Sequence, residues 1–191
     1  MRLTGGEGRG RILHGPRPGG WLRPTSDRVR EAVFDILGAR VPGSAFLDLC
    51  AGTGAVGVEA LSRGAGRVVF LERDRRALRL IDANLRLGTW PGSHEVLEGP
   101  LERSLPRLLR RGERFDLVFL DPPYDTPARD LPIGRLAPLL SPGGRLMVEH
   151  RTGSPIVQEG HGFAFLKSYR HGDTTLSLFA RLTPAASDGR E

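Results

Sequence analysis

Cysteine is nearly absent from this chain, and so are long apolar runs. Cys50 is the single cysteine among 191 residues, which excludes an intrachain disulfide. No apolar stretch approaches the ~20 residues that cross a bilayer. The opening residues, MRLTGGEGRG, lack the apolar core of a secretory signal. We therefore expect a soluble protein of the reducing cytoplasm.

Acidic residues are fewer than basic ones, and the basic excess is concentrated near the N-terminus. The net charge is +6 and the pI is about 10.8. Residues 1–30 hold seven Arg against two acids, Glu7 and Asp27, which gives this stretch a net charge of +5. Such charge favours a polyanionic partner, with Arg9 and Arg11 as candidate phosphate contacts, although a solvated flexible tail explains it equally well.

The chain divides into three unequal parts. Residues 1–24 are rich in Gly and interrupted by Pro, which predicts an irregular or short-hairpin basic arm. Residues 25–182 have the size and patterning of one folded domain. Residues 183–191, TPAASDGRE, are small and polar and predict a frayed tail.

Helix-like and strand-like stretches alternate along the domain. Thr25, Ser26 or Asp27 is expected to cap a first helix that Gly38 ends. Further helices are predicted near 55–63, 75–88, 101–111 and 128–140. Strands are predicted at 45–49, 67–72, 94–98, 115–120, 144–150, 163–169 and 174–182. The alternation predicts an α/β, Rossmann-like fold with a seven-stranded, mostly parallel sheet, and the last two strands, which no helix separates, predict an antiparallel edge.

The stretch FLDLCAGTGAVGVEA places the spacing G-x-G-x-x-G between a predicted strand and a predicted helix. Gly52, Gly54 and Gly57 let the backbone approach a ligand, and the free N–H groups at the helix start suit a pyrophosphate or a carboxylate. Glu72 ends the next strand, 20 residues after Gly52, where its carboxylate can accept both hydroxyls of an adenosine ribose.

Asp48 separates the two classes of cofactor that this loop can bind. An acid four residues before the first glycine repels a pyrophosphate but suits the ammonium of a methionine moiety. The alternative is that Asp48 only caps the turn and Gly57 only allows close helix packing. Cys50 has no neighbouring His in sequence and is predicted to be a small packing residue rather than a nucleophile.

The stretch FLDPPYDTP ends an apolar strand with an acid and two prolines. The Asp121 carboxylate and the Pro122 carbonyl can accept the two N–H bonds of a base amine, so that its nitrogen turns pyramidal as it attacks a methyl group. Tyr124 can stack on an extruded base. The alternative is a rigid strand-ending turn with a surface aromatic.

Three stretches, RPTSDRVREAVFDIL (23–37), FLDLCAGTGAVGVEALSRGA (46–65) and FDLVFLDPPY (115–124), resemble the RsmD-type ribosomal RNA guanine-N2 methyltransferases, as does the closing HGDTTLSLF. These are class I methyltransferases that use S-adenosyl-L-methionine. The resemblance implies the class I sheet, this cofactor, and methylation of the N2 amine of a guanine in small-subunit ribosomal RNA.

The chemistry of these motifs, together with the resemblance, gives expected roles for individual residues. The catalytic residues are expected to be Asp121, Pro122 and Tyr124. The expected cofactor contacts are Asp48, Cys50, Ala51, Gly52, Gly54, Glu72, Arg73, Glu98 and Asp121. The expected RNA contacts are Arg9, Arg11, Arg23, Thr25, Arg28, Pro123 and Tyr124. Related sequences often place an acid just after the third strand, where this chain has Gly99 and Pro100, so Glu98 or Leu101 is expected to meet the adenine instead.

Other functions remain open on residues alone. The same hydrogen-bond geometry serves the N6 amine of adenine in DNA or RNA. An NAD-dependent oxidoreductase explains the glycines and Glu72 but gives DPPY no role, and a noncatalytic RNA-binding module is a further alternative. The five His are scattered and predict no metal site. The expected partner is ribosomal RNA or the small ribosomal subunit, without a membrane, and the chain is expected to act as a monomer.

Overall fold

A single sheet forms the centre of the fold. The computed structural model describes residues 1–16, 19–22, 25–123, 126, 131–154, 156, 159–160 (backbone alone) and 162–182. Its strands are β1 (Ala45–Leu49), β2 (Arg67–Glu72), β3 (Ser93–Glu98), β4 (Phe115–Leu120), β5 (Leu140–Arg151), β6 (Glu159–Gly160), β7 (Phe163–His171) and β8 (Thr174–Arg181). They lie in the order β3-β2-β1-β4-β5-β8-β7-β6.

The strand directions confirm a mostly parallel sheet. β1 to β5 pair in parallel, whereas β8 pairs antiparallel with both β5 and β7. All seven predicted strands are present, and the two-residue β6 adds an eighth at the outer edge. Because Arg151 of β5 pairs with Thr174 of β8, the turn between β7 and β8 lies at the carboxyl end of the parallel strands.

The described part of the chain has five α-helices, two of which begin at side-chain caps. They are α1 (Asp27–Leu37), α2 (Ala55–Ser62), α3 (Arg75–Leu85), α4 (Leu101–Arg110) and α5 (Ile133–Leu136). Ser26 Oγ accepts the N–H of Val29 at 3.2 Å and so caps α1. None of the described helices is both long and apolar enough to span a bilayer.

The helix predicted near 128–140 is wrong in length. Residues 127–130 lie outside the described part of the chain, and residues 131–140 contain only the one-turn α5 and a 3-10 turn, Ala137–Leu139. Pro132 and Pro138 lack the N–H groups that would let a longer α-helix form here.

Two hydrophobic clusters cover the two faces of the sheet. Phe46 and Phe119 pack with α1 and α2 on one face, whereas Leu47 and Val118 pack with α4 and α5 on the other. Side chains alternate along each strand because successive Cβ atoms point to opposite faces. Asp48, two residues after Phe46, therefore lies on the face that α1 and α2 cover.

Residues 1–16 pack against the domain. Leu3 and Leu13 are buried in the core cluster that includes α1 and α2. The Gly8 N–H donates to Ser62 Oγ at 2.8 Å, at the end of α2, and the His14 N–H donates to Asn84 Oδ1 at 2.7 Å in α3. The predicted basic arm therefore runs along the helices toward the glycine loop.

Candidate active site

A cleft of about 700 Å³ lies at the carboxyl ends of the parallel strands. The loops after β1, β2 and β3 line the part that we name the glycine-loop half. The ends of β4 and β5 and the turn between β7 and β8 line the part that we name the β4–β5 half. Open α/β sheets bind ligands at this end of the strands.

The three glycines of the loop have different roles. Gly52 lines the cleft with φ 54°, and Gly54 starts α2 with φ 72°, a left-handed conformation that favours glycine. Gly54 and Gly57 do not line the cleft. A Cβ at Gly57 would lie 2.2 Å from the Phe70 ring, so this glycine allows α2 to pack closely on β2.

Backbone hydrogen bonds orient the Glu72 carboxylate at the end of β2. Its Oε2 accepts the Gly52 N–H at 2.8 Å, and its Oε1 accepts the N–H groups of Arg73 at 2.7 Å and Asp74 at 2.9 Å. The carboxylate thus connects the glycine loop to the loop after β2. Glu72, Arg73 and Asp74 all line the glycine-loop half.

Asp48 is a buried acid behind the glycine loop. Its side chain is 1% exposed, and its Oδ2 accepts the Gly57 N–H at 2.9 Å. Burial raises the pKa of Asp48 well above the ordinary value; the Gly57 hydrogen bond opposes this shift, and the charges of Asp121 and Glu72 add to it. The Asp48 carboxylate therefore binds a backbone N–H in the first turn of α2, close to the turn cap of the alternative interpretation, and Asp48 also lines the cleft.

Cys50 lines the cleft in a strained backbone conformation. Its φ of 58° makes it the single non-glycine residue with positive φ in the described part of the chain. Burial, with the nearby charges of Glu72, Asp121 and Asp48, raises the pKa of its thiol to about 12. The thiol is thus protonated at neutral pH, in agreement with a packing role rather than a nucleophilic one. Ala51 lines the cleft beside it.

Asp121 lines the cleft directly after β4 ends. Its N–H donates to the Leu49 carbonyl at 3.3 Å, which keeps it beside the end of β1. Thr25 Oγ1, just before α1, donates to Asp121 Oδ2 at 3.1 Å. Pro122 and Pro123 line the cleft next to it. Tyr124, the predicted stacking residue, lies outside the described residues, as does Asp125.

Residues near the end of β3 differ in whether they line the cleft. Glu98, a predicted cofactor contact, is not among the lining residues; its side chain is half exposed, and its carboxylate pairs with Arg75 Nε at 3.0 Å. Leu101, the alternative contact, does line the glycine-loop half. Glu102, which the sequence reasoning missed, lines it too and supplies an acid at the start of α4.

The predicted RNA contacts are not gathered in one place. Thr25 and Pro123 line the cleft, whereas Arg9, Arg11 and Arg28 are exposed outside it, and Arg23 lies outside the described residues. The hairpin that carries Arg9 contacts the far end of α2 at Ser62. α2 has eight residues, so this contact lies about 12 Å from the glycine loop at 1.5 Å of rise per residue.

Several lining residues of the β4–β5 half were missed. They are Glu149 in β5 and His171, Asp173 and Thr174 in or beside the turn between β7 and β8. Glu149 lies within a predicted buried strand, close to its carboxyl end. The only sequence signal that could have identified it is therefore an acid near the end of a strand. Within the described ranges, no group of three or more His, Cys, Asp or Glu is arranged to hold a metal ion.

Comparisons with known proteins agree with this architecture. Residues 1–180 match the family model described as Conserved hypothetical protein 95. The ribosomal RNA small subunit methyltransferase D of Haemophilus influenzae is 37% identical over 183 residues, which cover 94% of this chain and 93% of that protein. The Escherichia coli protein of the same name is 38% identical over 124 residues, which cover 65% of this chain and 60% of that protein.

A solved structure has the same fold across nearly the whole chain. It is a hypothetical protein of Thermus thermophilus, with a TM-score of 0.79 and 35% identity, and the match covers 93% of this chain and 98% of that one. The chain therefore belongs to the Conserved hypothetical protein 95 family of RsmD-type methyltransferases.

Proposed function

We propose that this protein transfers a methyl group from S-adenosyl-L-methionine to the exocyclic N2 amine of a guanine in small-subunit ribosomal RNA. The observation that carries the proposal is the position of Asp121 and Pro122 in the same cleft as the glycine loop, beside the end of β1. The relatives named ribosomal RNA small subunit methyltransferase D support the class of substrate.

The glycine-loop half has the donor and acceptor groups that S-adenosyl-L-methionine requires. Glu72 offers a carboxylate for the ribose hydroxyls, and Asp48 offers buried negative charge for the ammonium of the methionine part. Leu101 offers an apolar contact for the adenine ring, and Glu102 an acceptor for its amine. When bound, the cofactor supplies an electrophilic methyl group on a sulfonium. The ammonium contact gives Asp48 a functional role in addition to its hydrogen bond with the Gly57 N–H.

Asp121 and Pro122 are proposed to prepare the amine as a nucleophile. Both offer acceptor oxygens, which hold the two N–H bonds and direct the nitrogen lone pair toward the glycine-loop half. The amine gains positive charge as it attacks, and the carboxylate stabilises that charge before the proton leaves. Thr25 donates to Asp121 Oδ2 and thereby fixes the orientation of the carboxylate. The rate then depends chiefly on alignment.

Asp48 predicts a pH dependence of cofactor binding and of stability. We expect Asp48→Asn to lower the affinity for S-adenosylhomocysteine at least tenfold, because the ammonium loses its ionic partner. Since the pKa of Asp48 is raised, wild-type affinity should be complete above that pKa and fall as pH falls through it. Isothermal calorimetry from pH 5 to pH 9 measures both effects, and equal affinities for wild type and variant across that range would contradict the role.

Stability should respond to Asp48 with the opposite sign. A carboxyl whose pKa is raised on folding stabilises the folded state at low pH, and this contribution is lost as pH rises through the folded pKa. Asp48→Asn keeps an acceptor for the Gly57 N–H without the charge. The variant should therefore unfold at a higher urea concentration than wild type at pH 8, with a smaller difference at pH 5.

Exposed arginines are proposed to bind RNA phosphates. Arg28 lies in the first turn of α1, next to the cleft residues Thr25 and Ser26, and Arg9 is on the exposed hairpin. We expect Arg9→Gln and Arg28→Gln each to reduce the slope of log affinity against log salt by about 1. Fluorescence anisotropy with ribosomal RNA fragments at several salt concentrations measures this slope. Point variants are preferable to deletion, since Leu3 and Leu13 belong to the core.

The proposed function is tested by the nucleosides of ribosomal RNA. Small-subunit RNA from cells that lack the protein should lose one N2-methylguanosine, and the purified protein with S-adenosyl-L-methionine should restore it. Mass spectrometry identifies the base and the atom together. Loss of an N6-methyladenosine instead would favour the adenine alternative. Calorimetry that shows binding of NAD but no binding of S-adenosylhomocysteine would favour an oxidoreductase.

A further inference from the structure

The β4–β5 half contains a second buried acid beside Asp121. Glu149 lies in β5, is 8% exposed and lines the cleft. Leu120 of β4 pairs with Val148 of β5 in parallel register, so the next residues, Asp121 and Glu149, stand at the same level on neighbouring strands. Neighbouring strands lie about 4.8 Å apart, which is close enough for one base edge to reach both carboxylates.

The two carboxylates also lie on the same side of the sheet. Met147, two residues before Glu149, belongs to the core cluster that includes α1 and α2, and alternation along β5 puts Glu149 on that face. Thr25, which precedes α1, donates to Asp121 from the same side. β1 and β4 separate β5 from β2 and β3, so Glu149 is outside the glycine-loop half.

We propose that Glu149 selects guanine by accepting its N1–H, while Asp121 and the Pro122 carbonyl hold the N2 amine; this inference rests on the proposed function. Guanine presents its N1–H and its N2 amine side by side, and an ionised carboxylate can only accept hydrogen bonds. A pair of carboxylates on adjacent strands therefore matches this row of donors.

Adenine does not match the same pair. Beside its N6 amine, adenine carries an unprotonated N1 whose lone pair would face the Glu149 carboxylate. That contact is repulsive, because the buried Glu149 carboxylate would face the N1 acceptor of adenine instead of a hydrogen-bond donor. Glu149 thus supplies the distinction between guanine and adenine that Asp121, Pro122 and a stacking aromatic do not make.

The closest chemical probe is 2-aminopurine, which keeps the N2 amine but has an unprotonated N1. We would place guanosine or 2-aminopurine riboside at the methylated position of small-subunit RNA prepared without the protein. Wild-type protein should prefer guanosine by roughly 10- to 150-fold in kcat/KM, the range of one hydrogen bond to a charged group. Glu149→Gln should narrow this preference at least fivefold, because an amide can donate to N1 of 2-aminopurine.

Two controls separate base selection from a general loss of structure. Glu149→Gln should bind S-adenosylhomocysteine with wild-type affinity in calorimetry, because Glu149 lies outside the glycine-loop half. Asp173→Asn removes an exposed acid that lines the same half of the cleft, and it should leave the guanosine to 2-aminopurine ratio at the wild-type value. A purely structural role for Glu149 would lower both rates alike and keep their ratio.

The outcomes distinguish this inference from the proposed function. The inference is supported if wild type prefers guanosine to 2-aminopurine riboside and this preference narrows in Glu149→Gln but not in Asp173→Asn. Methylation of guanosine by wild type with an unchanged ratio in Glu149→Gln overturns the role of Glu149 and leaves the proposed function intact. Transfer to neither RNA by the wild-type protein overturns both.

Discussion

Replacing Asp121 with Ala should lower methyl transfer to ribosomal RNA by about 10²- to 10³-fold, the usual loss for one acceptor or donor aimed at transition-state charge. Two hydrogen bonds orient Asp121, one to the Leu49 carbonyl at the end of β1 and one from Thr25, two residues before α1 begins. Because its proposed partner is the target amine, binding of S-adenosylhomocysteine should remain nearly intact. Single-turnover kinetics and calorimetry measure the two quantities separately.

A graded set of variants tests whether orientation of the carboxylate matters. Thr25→Val is nearly isosteric and removes the hydroxyl that donates to Asp121 Oδ2 at 3.1 Å, so it should cost about tenfold, the worth of one hydrogen bond to a charged group. Asp116→Asn changes an exposed acid elsewhere on β4 and should leave turnover unchanged. Near-wild-type turnover of Asp121→Ala would contradict the proposed role of Asp121.

Much of the candidate site was predictable because parallel strands end at one edge of a sheet. Asp48, Gly52, Glu72 and Asp121 all stand at or just beyond predicted strand ends, and the structure brings all four into one cleft. Glu149 was not found, because its partner position depends on the register between β4 and β5. Local pattern reveals a strand but not which residue of the next strand lies beside its end.

Prediction of the fold has the same limit, because local patterns identify strands but not their long-range pairing. Alternating patterns correctly predicted the parallel strands and the antiparallel pair, since these follow from local periodicity and connection length. The insertion of β8 between β5 and β7 is a long-range pairing that no local signal specifies. Arg30 was counted in the basic excess of residues 1–30, yet its side chain is fully buried against Glu59, 29 residues away in α2.

The N-terminal segment connects this buried ion pair to the cleft. Arg30 also donates to the Arg2 carbonyl, and Glu59 accepts hydrogen bonds from Thr4, so the pair holds the hairpin on the domain. Farther along, the Arg76 guanidinium stacks 3.9 Å from the Trp21 ring centroid, and both residues line the cleft. Loss of the ion pair should therefore loosen the hairpin and the near wall of the cleft together.

Arg30→Met should lower the free energy of unfolding by about 3–5 kcal/mol, the usual cost of removing one member of a buried pair. Both side chains are 0% exposed, so Glu59 would be left as a buried charge with Arg63, 23% exposed, as its remaining cationic partner. Urea unfolding followed by circular dichroism measures the loss. Trypsin should also cleave within residues 1–16 sooner, because Arg30 no longer holds the Arg2 carbonyl.

The double variant Arg30→Met with Glu59→Leu separates the cost of leaving the Glu59 charge buried without Arg30 from the cost of lost packing. Replacing a whole buried pair with apolar residues is often neutral or stabilising, so the double variant should recover most of the stability that Arg30→Met loses. Arg86→Gln breaks an exposed pair with Asp82 and should unfold like wild type, because solvent screens such pairs. If Arg30→Met unfolds at the same urea concentration as Arg86→Gln, the ion pair does not hold the hairpin, and the N-terminal segment must be anchored by its other contacts, which include buried Leu3 and Leu13 and the hydrogen bonds of Gly8 and His14.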